Sequence, residues 1–226
     1  VALFAIVGVW QVFAVSSITV KGNKTISSDE VIKLVNQSFG HHAFSSNLLT
    51  LSLADLPQDL PTESNQRIKS AVITRAWPNR IVVTITERTA ALGWRSGSGV
   101  YALDSDGQII GLFSDLKANV PIVIDTSNLP VQIGDTVAPT QFVTFCTQVA
   151  AALPKLGIGV TGFTIADTTS EVYVATNKGY QLKFDTTREV GEELGDLKGV
   201  LTTLASQHKT ASQYIDLRIA GKAYYL

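Results

Sequence analysis

The chain has 226 residues, and its 18 basic and 19 acidic side chains leave a net charge of −1. That length predicts one large domain or two small ones, and the near-cancelling charge names no nucleic-acid partner. With 45% hydrophobic and 16% charged residues, the composition excludes a disordered tail and permits a sizeable core. The single cysteine, Cys146, excludes an internal disulfide and a multi-cysteine zinc site. No methionine occurs anywhere, so the expectation is a chain that has lost its natural start.

Residues 1–15 read VALFAIVGVWQVFAV, with Gln11 the only polar side chain and no charge before Lys21. Fifteen helical residues span roughly 22 Å, short of a ~30 Å hydrocarbon core. The segment is read as the end of a transmembrane anchor, with the bulk of the chain outside the cytoplasm. A buried core helix and a signal peptide cleaved near Ala14-Val15-Ser16 are the competing readings.

Next, Ile18-Thr19-Val20 alternates as a strand up to a turn at Gly22-Asn23. Ser27-Ser28-Asp29-Glu30 has capping-box form: a serine hydroxyl accepts first-turn amides while Glu30 reaches back. Val31, Leu34, Val35 and Phe39 share one helical face, and Gly40 is placed to end the helix. A second, shorter helix is expected within residues 48–60, interrupted by Pro57. Two period-two strands follow. Ile68, Ser70, Val72 and Thr74 face one way and Lys69, Ala71, Ile73 and Arg75 the other, before a turn at Trp77-Pro78-Asn79-Arg80. Then Ile81, Val83 and Ile85 alternate with Val82, Thr84 and Thr86. One sheet with two helices on one face would bury both stripes.

From Ala90 the pattern changes. Residues 94–111 read as hairpins, with Ser96-Gly97-Ser98-Gly99 and Asp106-Gly107 as turns. Phe142, Phe145, Val149, Ala152, Leu153 and Leu156 make one helical face, and strands are expected over 162–166, 171–176 and 180–184. A second helix carries Val190, Leu194, Leu197, Val200, Leu201 and Leu204, with Thr186 and Glu189 at capping-box spacing. Tyr214 to Arg218, a turn at Gly221 and a terminal strand ending in Tyr224-Tyr225-Leu226 close the chain. The fold class is therefore α+β. Residues 1–15 form the anchor end, 16–90 a β-α-α-β-β domain, and 91–226 a second α+β domain with a mostly antiparallel sheet.

Chemistry-bearing motifs are few. Gly157-Ile158-Gly159-Val160-Thr161-Gly162 has the letters of a dinucleotide fingerprint, but a helix precedes it and a strand follows, the reverse of what phosphate binding needs. Asp104-Ser105-Asp106-Gly107 starts like a calcium loop, yet Ile109 stands where an EF-hand wants glycine. His41, His42 and His208 do not form a spaced ligand set, and Cys146 reads as a small core residue. No serine lies in a nucleophile elbow, so the chain reads as a binding protein without catalytic, metal or cofactor residues. One charge feature stands out. From Asn65 to Arg95, Arg67, Lys69, Arg75, Arg80, Arg88 and Arg95 face only Glu87, a net +5 against −6 elsewhere. This is either a solvated sheet face or a recruitment or membrane-facing surface.

The segment from Phe13 to Asn23, the helix opening at Ser27, and the hairpin from Val72 to Arg88 with its proline turn and closing Glu87-Arg88 resemble a POTRA domain set after a membrane anchor. Tyr101-Ala102-Leu103-Asp104 with Gly107, and Tyr214 to Arg218, are similar to the second domain of the FtsQ/DivIB family of bacterial cell-division proteins. Residues 115–140 match no part of that pattern. The resemblance implies a non-enzymatic, single-pass divisome scaffold in the cytoplasmic membrane at the septum. It also implies recruitment through the POTRA domain, and strand pairing of the second domain with an FtsB/DivIC-like protein that is itself bound to an FtsL-like one. A terminal edge strand would leave unpaired backbone groups for β-augmentation, with Ile219, Lys222, Tyr224, Tyr225 and Leu226 as the partner-binding set. The alternative reading is a POTRA-type chaperone of outer-membrane protein assembly or secretion; an envelope hydrolase is third.

Overall fold

The computed structural model describes residues 10–38, 47–49, 60, 64, 66–116 and 120–226. Its chain divides into two units, Val1–Arg88 and Thr89–Leu226. Residues 1–9, His41, His42, Phe39, Gly40 and most of the helix expected within 48–60 lie outside the described residues. Among the described residues, no helix is long and apolar enough to cross a membrane.

In the first unit, strands β1 (Ser17–Lys21), β2 (Ile68–Ala76) and β3 (Arg80–Glu87) form a sheet in the order β1-β3-β2. β1 runs parallel to β3, and β2 antiparallel to it. A parallel pair needs a long crossover, and helix α1 (Ser28–Ser38) lies within it. Its stripe of Val31, Leu34 and Val35 is buried in one cluster with Ile81, Val83 and Ile85 of β3. The periodicities of 3.6 and 2 thus meet across one layer. Residues 14 and 15, read from the sequence as anchor, enter this unit instead: Ala14 bridges to Asn47, and Val15 is buried in the core.

Two local expectations need correction. Ser27 Oγ accepts the Glu30 N–H at 3.2 Å, so the helix is capped. The Glu30 carboxylate does not reach back, however; it accepts from Arg67 Nη1 at 2.8 Å, a charge-assisted bond stronger than one to an amide. In β2 the alternation changes phase at an irregularity between Ile68 and Ser70. Ile68 is buried, and so are Ala71 and Ile73, whereas Ser70, Val72 and Thr74 point out. An extra residue in a bulge lets two opposite parities feed the same core.

Among the described residues the second unit is built on nine strands: β4 (Leu92–Ser96), β5 (Gly99–Leu103), β6 (Ile109–Leu112), β7 (Ile122–Asp125), β8 (Val160–Ile165), β9 (Glu171–Thr176), β10 (Gln181–Asp185), β11 (Tyr214–Asp216) and β12 (Tyr224–Tyr225). Their order is β12-β11-β10-β9-β8-β7-β4-β5-β6. The β4–β7, β7–β8 and β10–β11 pairs are parallel and the other five antiparallel, giving the mostly antiparallel sheet. A one-turn helix α2 (Phe113–Leu116) precedes β7, so the stretch 115–140 supplies a central strand. Helices α3 (Thr140–Ala152) and α4 (Val190–Ser206) contribute Phe142, Phe145, Val149, Val190, Leu197 and Leu204 to a core shared with Trp94, Phe163, Phe184 and Ile215. Trp94 meets Phe142 edge-on at 6.1 Å between ring centroids, and Phe145 meets Phe184 likewise at 5.7 Å.

Here too the sequence reading needs amendment. After Ala152 the chain tightens into a 3₁₀ turn, Leu153–Leu156, and Leu156 is rotated out to solvent. Gly157, at φ +73°, ends that turn ahead of β8, which makes the glycine-rich run a helix-to-strand loop. The box expected from Thr186 and Glu189 does not form. The Thr186 hydroxyl donates instead to the Thr169 carbonyl, and α4 starts without a side-chain cap bond. Asp104 accepts the N–H groups of Asp106 and Gln108, both at 2.9 Å, and so closes the turn that resembled a calcium loop.

Candidate functional site

At one edge of the nine-stranded sheet lies β12, only two residues long. It is held by a small number of bonds. Tyr224 pairs with Asp216 and Tyr225 with Ile215, antiparallel. The Leu226 N–H donates to the Tyr214 carbonyl at 3.1 Å, and the Leu226 carbonyl accepts from the Ser212 and Gln213 amides at 2.7 Å each. Because inward and outward groups alternate along an antiparallel ladder, inward bonding by Leu226 turns the N–H and C=O of Tyr225 away from the sheet. Those are the groups an added strand would use.

The approach to this edge is a turn. The Lys222 N–H donates to the Ile219 carbonyl at 3.0 Å, and Gly221 sits at φ +67°, where a side chain would be strained. Ile219, Tyr224, Tyr225 and Leu226 are 53%, 51%, 43% and 55% exposed, an unusual run of uncovered apolar surface. Lys222 is also exposed. The structure therefore brings the whole set of Ile219, Lys222, Tyr224, Tyr225 and Leu226 onto one turn and one edge.

Beside the edge is a groove of about 380 Å³ between α4 and the last turn, lined by Gly195, Gly199, Val200, Thr203, Ala223 and Tyr225, among others. The sequence reading missed its glycine floor. The signal was present: Gly191, Gly195 and Gly199 are spaced four apart, on one face of a helix. A Cβ added at any of the three would meet nothing within 4 Å, so close packing inside the fold does not explain them.

Behind the edge, charged groups fix its support. Arg218 donates to Asp216 through Nε and Nη2, at 2.9 and 2.6 Å, and to Glu171 through Nη1 at 2.6 Å. Burial would raise the Asp216 pKa, but the Arg218 bonds outweigh it and hold the carboxyl below its ordinary value. Arg188 donates to the Leu217 carbonyl at 2.8 Å and pairs with Asp196 at 3.2 Å and Glu193 at 3.3 Å, tying the start of α4 to the end of β11. Lys183 Nζ lies 4.1 Å from the Tyr214 ring centroid.

The basic residues of the first unit separate into two groups. The Arg88 N–H donates to the Arg67 carbonyl at 2.9 Å, so Arg67, Lys69 and Arg88 lie at the open end of the β2–β3 hairpin. Arg75 and Arg80 lie at its other end, either side of the Trp77–Asn79 turn. Arg67 is engaged with Glu30 at 2.8 Å. Among the described residues no group of His, Cys, Asp and Glu could hold a metal ion. Cys146 is fully buried, and that burial pushes its thiol pKa well up, so it is not poised as a nucleophile.

Residues 13–88 match the model of the POTRA domain, FtsQ-type. Over 215 residues the chain is 27% identical to the cell division protein FtsQ of Chloroflexus aurantiacus, covering 94% of this chain and 73% of that relative. It is 24% identical over 113 residues to the cell division protein FtsQ of Bradyrhizobium diazoefficiens, covering 50% of this chain and 31% of that relative.

Proposed function

The FtsQ-type POTRA match and these two relatives support an FtsQ-family protein, and on that premise we propose that the chain is a non-catalytic, membrane-tethered scaffold of the bacterial division machinery. It captures a partner by β-augmentation at β12. The observation that carries this reading is the edge itself: outward-facing backbone groups at Tyr225, beside four exposed apolar side chains and an open groove. Main-chain bonds supply affinity in this mode, and pockets for alternate side chains supply register. Tyr225 would cover the groove side of an incoming strand, while Tyr224, opposite Asp216, would contact it on the other face.

The family resemblance names FtsB/DivIC-like and FtsL-like single-pass division proteins as the partners. The first unit acts in recruitment, with Arg67, Lys69 and Arg88 at the open end of its hairpin as the basic surface for a partner, apart from Arg75 and Arg80 at the turn end. The apolar run ahead of Ala14 would tether the chain to the cytoplasmic membrane at the septum, with both folded units, divided after Arg88, outside the cytoplasm.

The test is affinity capture from native envelope with the full chain and its Tyr224→Asp and Tyr225→Asp variants. A charge placed at a strand-pairing edge without disturbing the buried core should leave the circular dichroism unchanged and remove the captured protein. Capture of small single-pass coiled-coil proteins that both variants lose supports the proposal. Equal capture by wild type and both variants overturns the edge mechanism. Recovery of barrel proteins or unfolded clients would point to a chaperone instead.

A further inference from the structure

At one end of the first unit, Trp10, Val12, Leu49 and Trp77 are 50%, 51%, 51% and 57% exposed. Among that unit's described residues, Val72 is the only other large apolar side chain so exposed. Three separate segments hold the four together. Asn47 Nδ2 donates to the Trp10 carbonyl at 2.7 Å, the Leu48 N–H to the Phe13 carbonyl at 2.8 Å, and the Leu49 N–H to Asn47 Oδ1 at 2.9 Å. The Ser16 N–H donates to the Asn79 carbonyl at 2.9 Å, and the Phe13 ring stands edge-on to Trp77 at 5.6 Å. The β2–β3 turn is thereby fixed beside the chain that enters the unit.

Two further facts select what covers this patch. Residues 1–9, VALFAIVGV, carry no polar side chain and lead in sequence directly into Trp10. Exposed Arg75 and Arg80 flank the Trp77 turn. Indoles at the end of an apolar segment favour the headgroup layer of a bilayer, where the ring is buried and its N–H stays wet. Basic side chains at that depth meet anionic headgroups.

We propose that this end of the first unit is a bilayer-docking surface. Trp10 and Trp77 enter the headgroup layer, and Arg75 and Arg80 pair with anionic lipid there. The β2–β3 turn then gives the unit a second point of attachment, so that it stands in a fixed orientation on the membrane. This is separate from capture at β12, and Tyr225→Asp should leave it unchanged.

The full chain carrying Trp10→Phe retains Trp77 and the buried Trp94 as its fluorophores. It is reconstituted in phosphatidylcholine vesicles with and without phosphatidylglycerol, using lipids brominated near the headgroup. The expected result is a roughly twofold or larger loss of Trp77 emission with the brominated lipid, greater with phosphatidylglycerol. Adding Arg75→Glu and Arg80→Glu should reverse most of it. The Trp10→Phe/Trp77→Phe variant gives the Trp94 background, which should not respond. Trp77 emission that aqueous iodide quenches and brominated lipid does not would overturn the proposal. So would shielding of Trp77 that follows protein concentration rather than lipid, which would mark a contact between copies. Lipid quenching indifferent to both charge changes would overturn the anionic pairing.

Discussion

Glu87, the last residue of β3, accepts three backbone amides from the segment between β1 and α1, and its removal gives a quantitative test of how the first unit is closed. Its carboxylate accepts the backbone N–H of Lys24 at 2.6 Å, of Thr25 at 2.9 and 3.0 Å, and of Ile26 at 2.9 Å, together with the Thr25 hydroxyl at 2.5 Å. Burial alone would raise its pKa. The Thr25 hydroxyl and the three amides outweigh that and lower it from 4.5 to about 2. Because the folded value lies below the unfolded one, the carboxylate adds stability above pH 4.5, and this is lost as the pH falls toward 2. The full difference would correspond to about 3 kcal/mol, at roughly 1.4 kcal/mol per pKa unit. Solvent contact at this surface position reduces the expectation to about 1–2 kcal/mol. Glu87→Gln keeps the shape and one acceptor but loses the charge. At pH 7 native-state hydrogen exchange should show the Thr25 and Ile26 amides about tenfold less protected, and urea should unfold the first unit earlier by about 1–2 kcal/mol. The gap between wild type and variant should shrink to under half by about pH 3. Equal stability at pH 7, or a gap of the same size at pH 7 and pH 3, would refute the reasoning.

Glu193 behaves in the opposite sense. It is fully buried, and burial raises its pKa from 4.5 to about 7 despite the Asp185 amide and Arg188, with Asp185 and Asp196 adding to the rise. Its contribution is therefore complete below pH 4.5 and lost as the pH passes 7, so Glu193→Gln should gain about 1–3 kcal/mol on wild type between pH 5 and pH 8, read from melting of the second unit. Gly107→Ala would place a Cβ 1.7 Å from the Ala138 carbonyl oxygen at φ +82°, and should cost ~2 kcal/mol or more in the same melt. Gly195→Leu and Gly199→Leu, with open space at both positions, should instead leave stability nearly unchanged and weaken partner capture, which calorimetry and the affinity assay separate.

Much of the fold followed from local pattern. Val31, Leu34 and Val35 at helical spacing, and Ile81, Val83 and Ile85 at strand spacing, are buried as their periods require, since each period leaves one face to cover. The closing Glu87 was legible as a motif letter, but its role as acceptor for three amides some sixty residues earlier was not. The same limit explains Glu30, which a one-dimensional reading assigned to its own helix before Arg67 was brought to it. The phase change in β2 was also hidden, because Lys69 and Ser70 carry no mark of a bulge. At the edge, the sequence supplied exposed aromatics near a turn; the four-residue spacing of the α4 glycines was also visible, but that a groove lies over them depends on the last turn packing beside α4.

The α+β class, the two helical stripes of the second unit and the aromatic residues at the terminal edge were readable from local pattern, because these depend on periodicities and neighbours within a few positions. That β7 fills the centre of the sheet, that Arg218 serves Asp216 and Glu171, and that Trp10, Val12, Leu49 and Trp77 share one end emerged only in the folded chain. Each of those depends on contacts between distant segments. Their partners are chosen by packing and by the need to satisfy buried polar groups, and no local period records that choice.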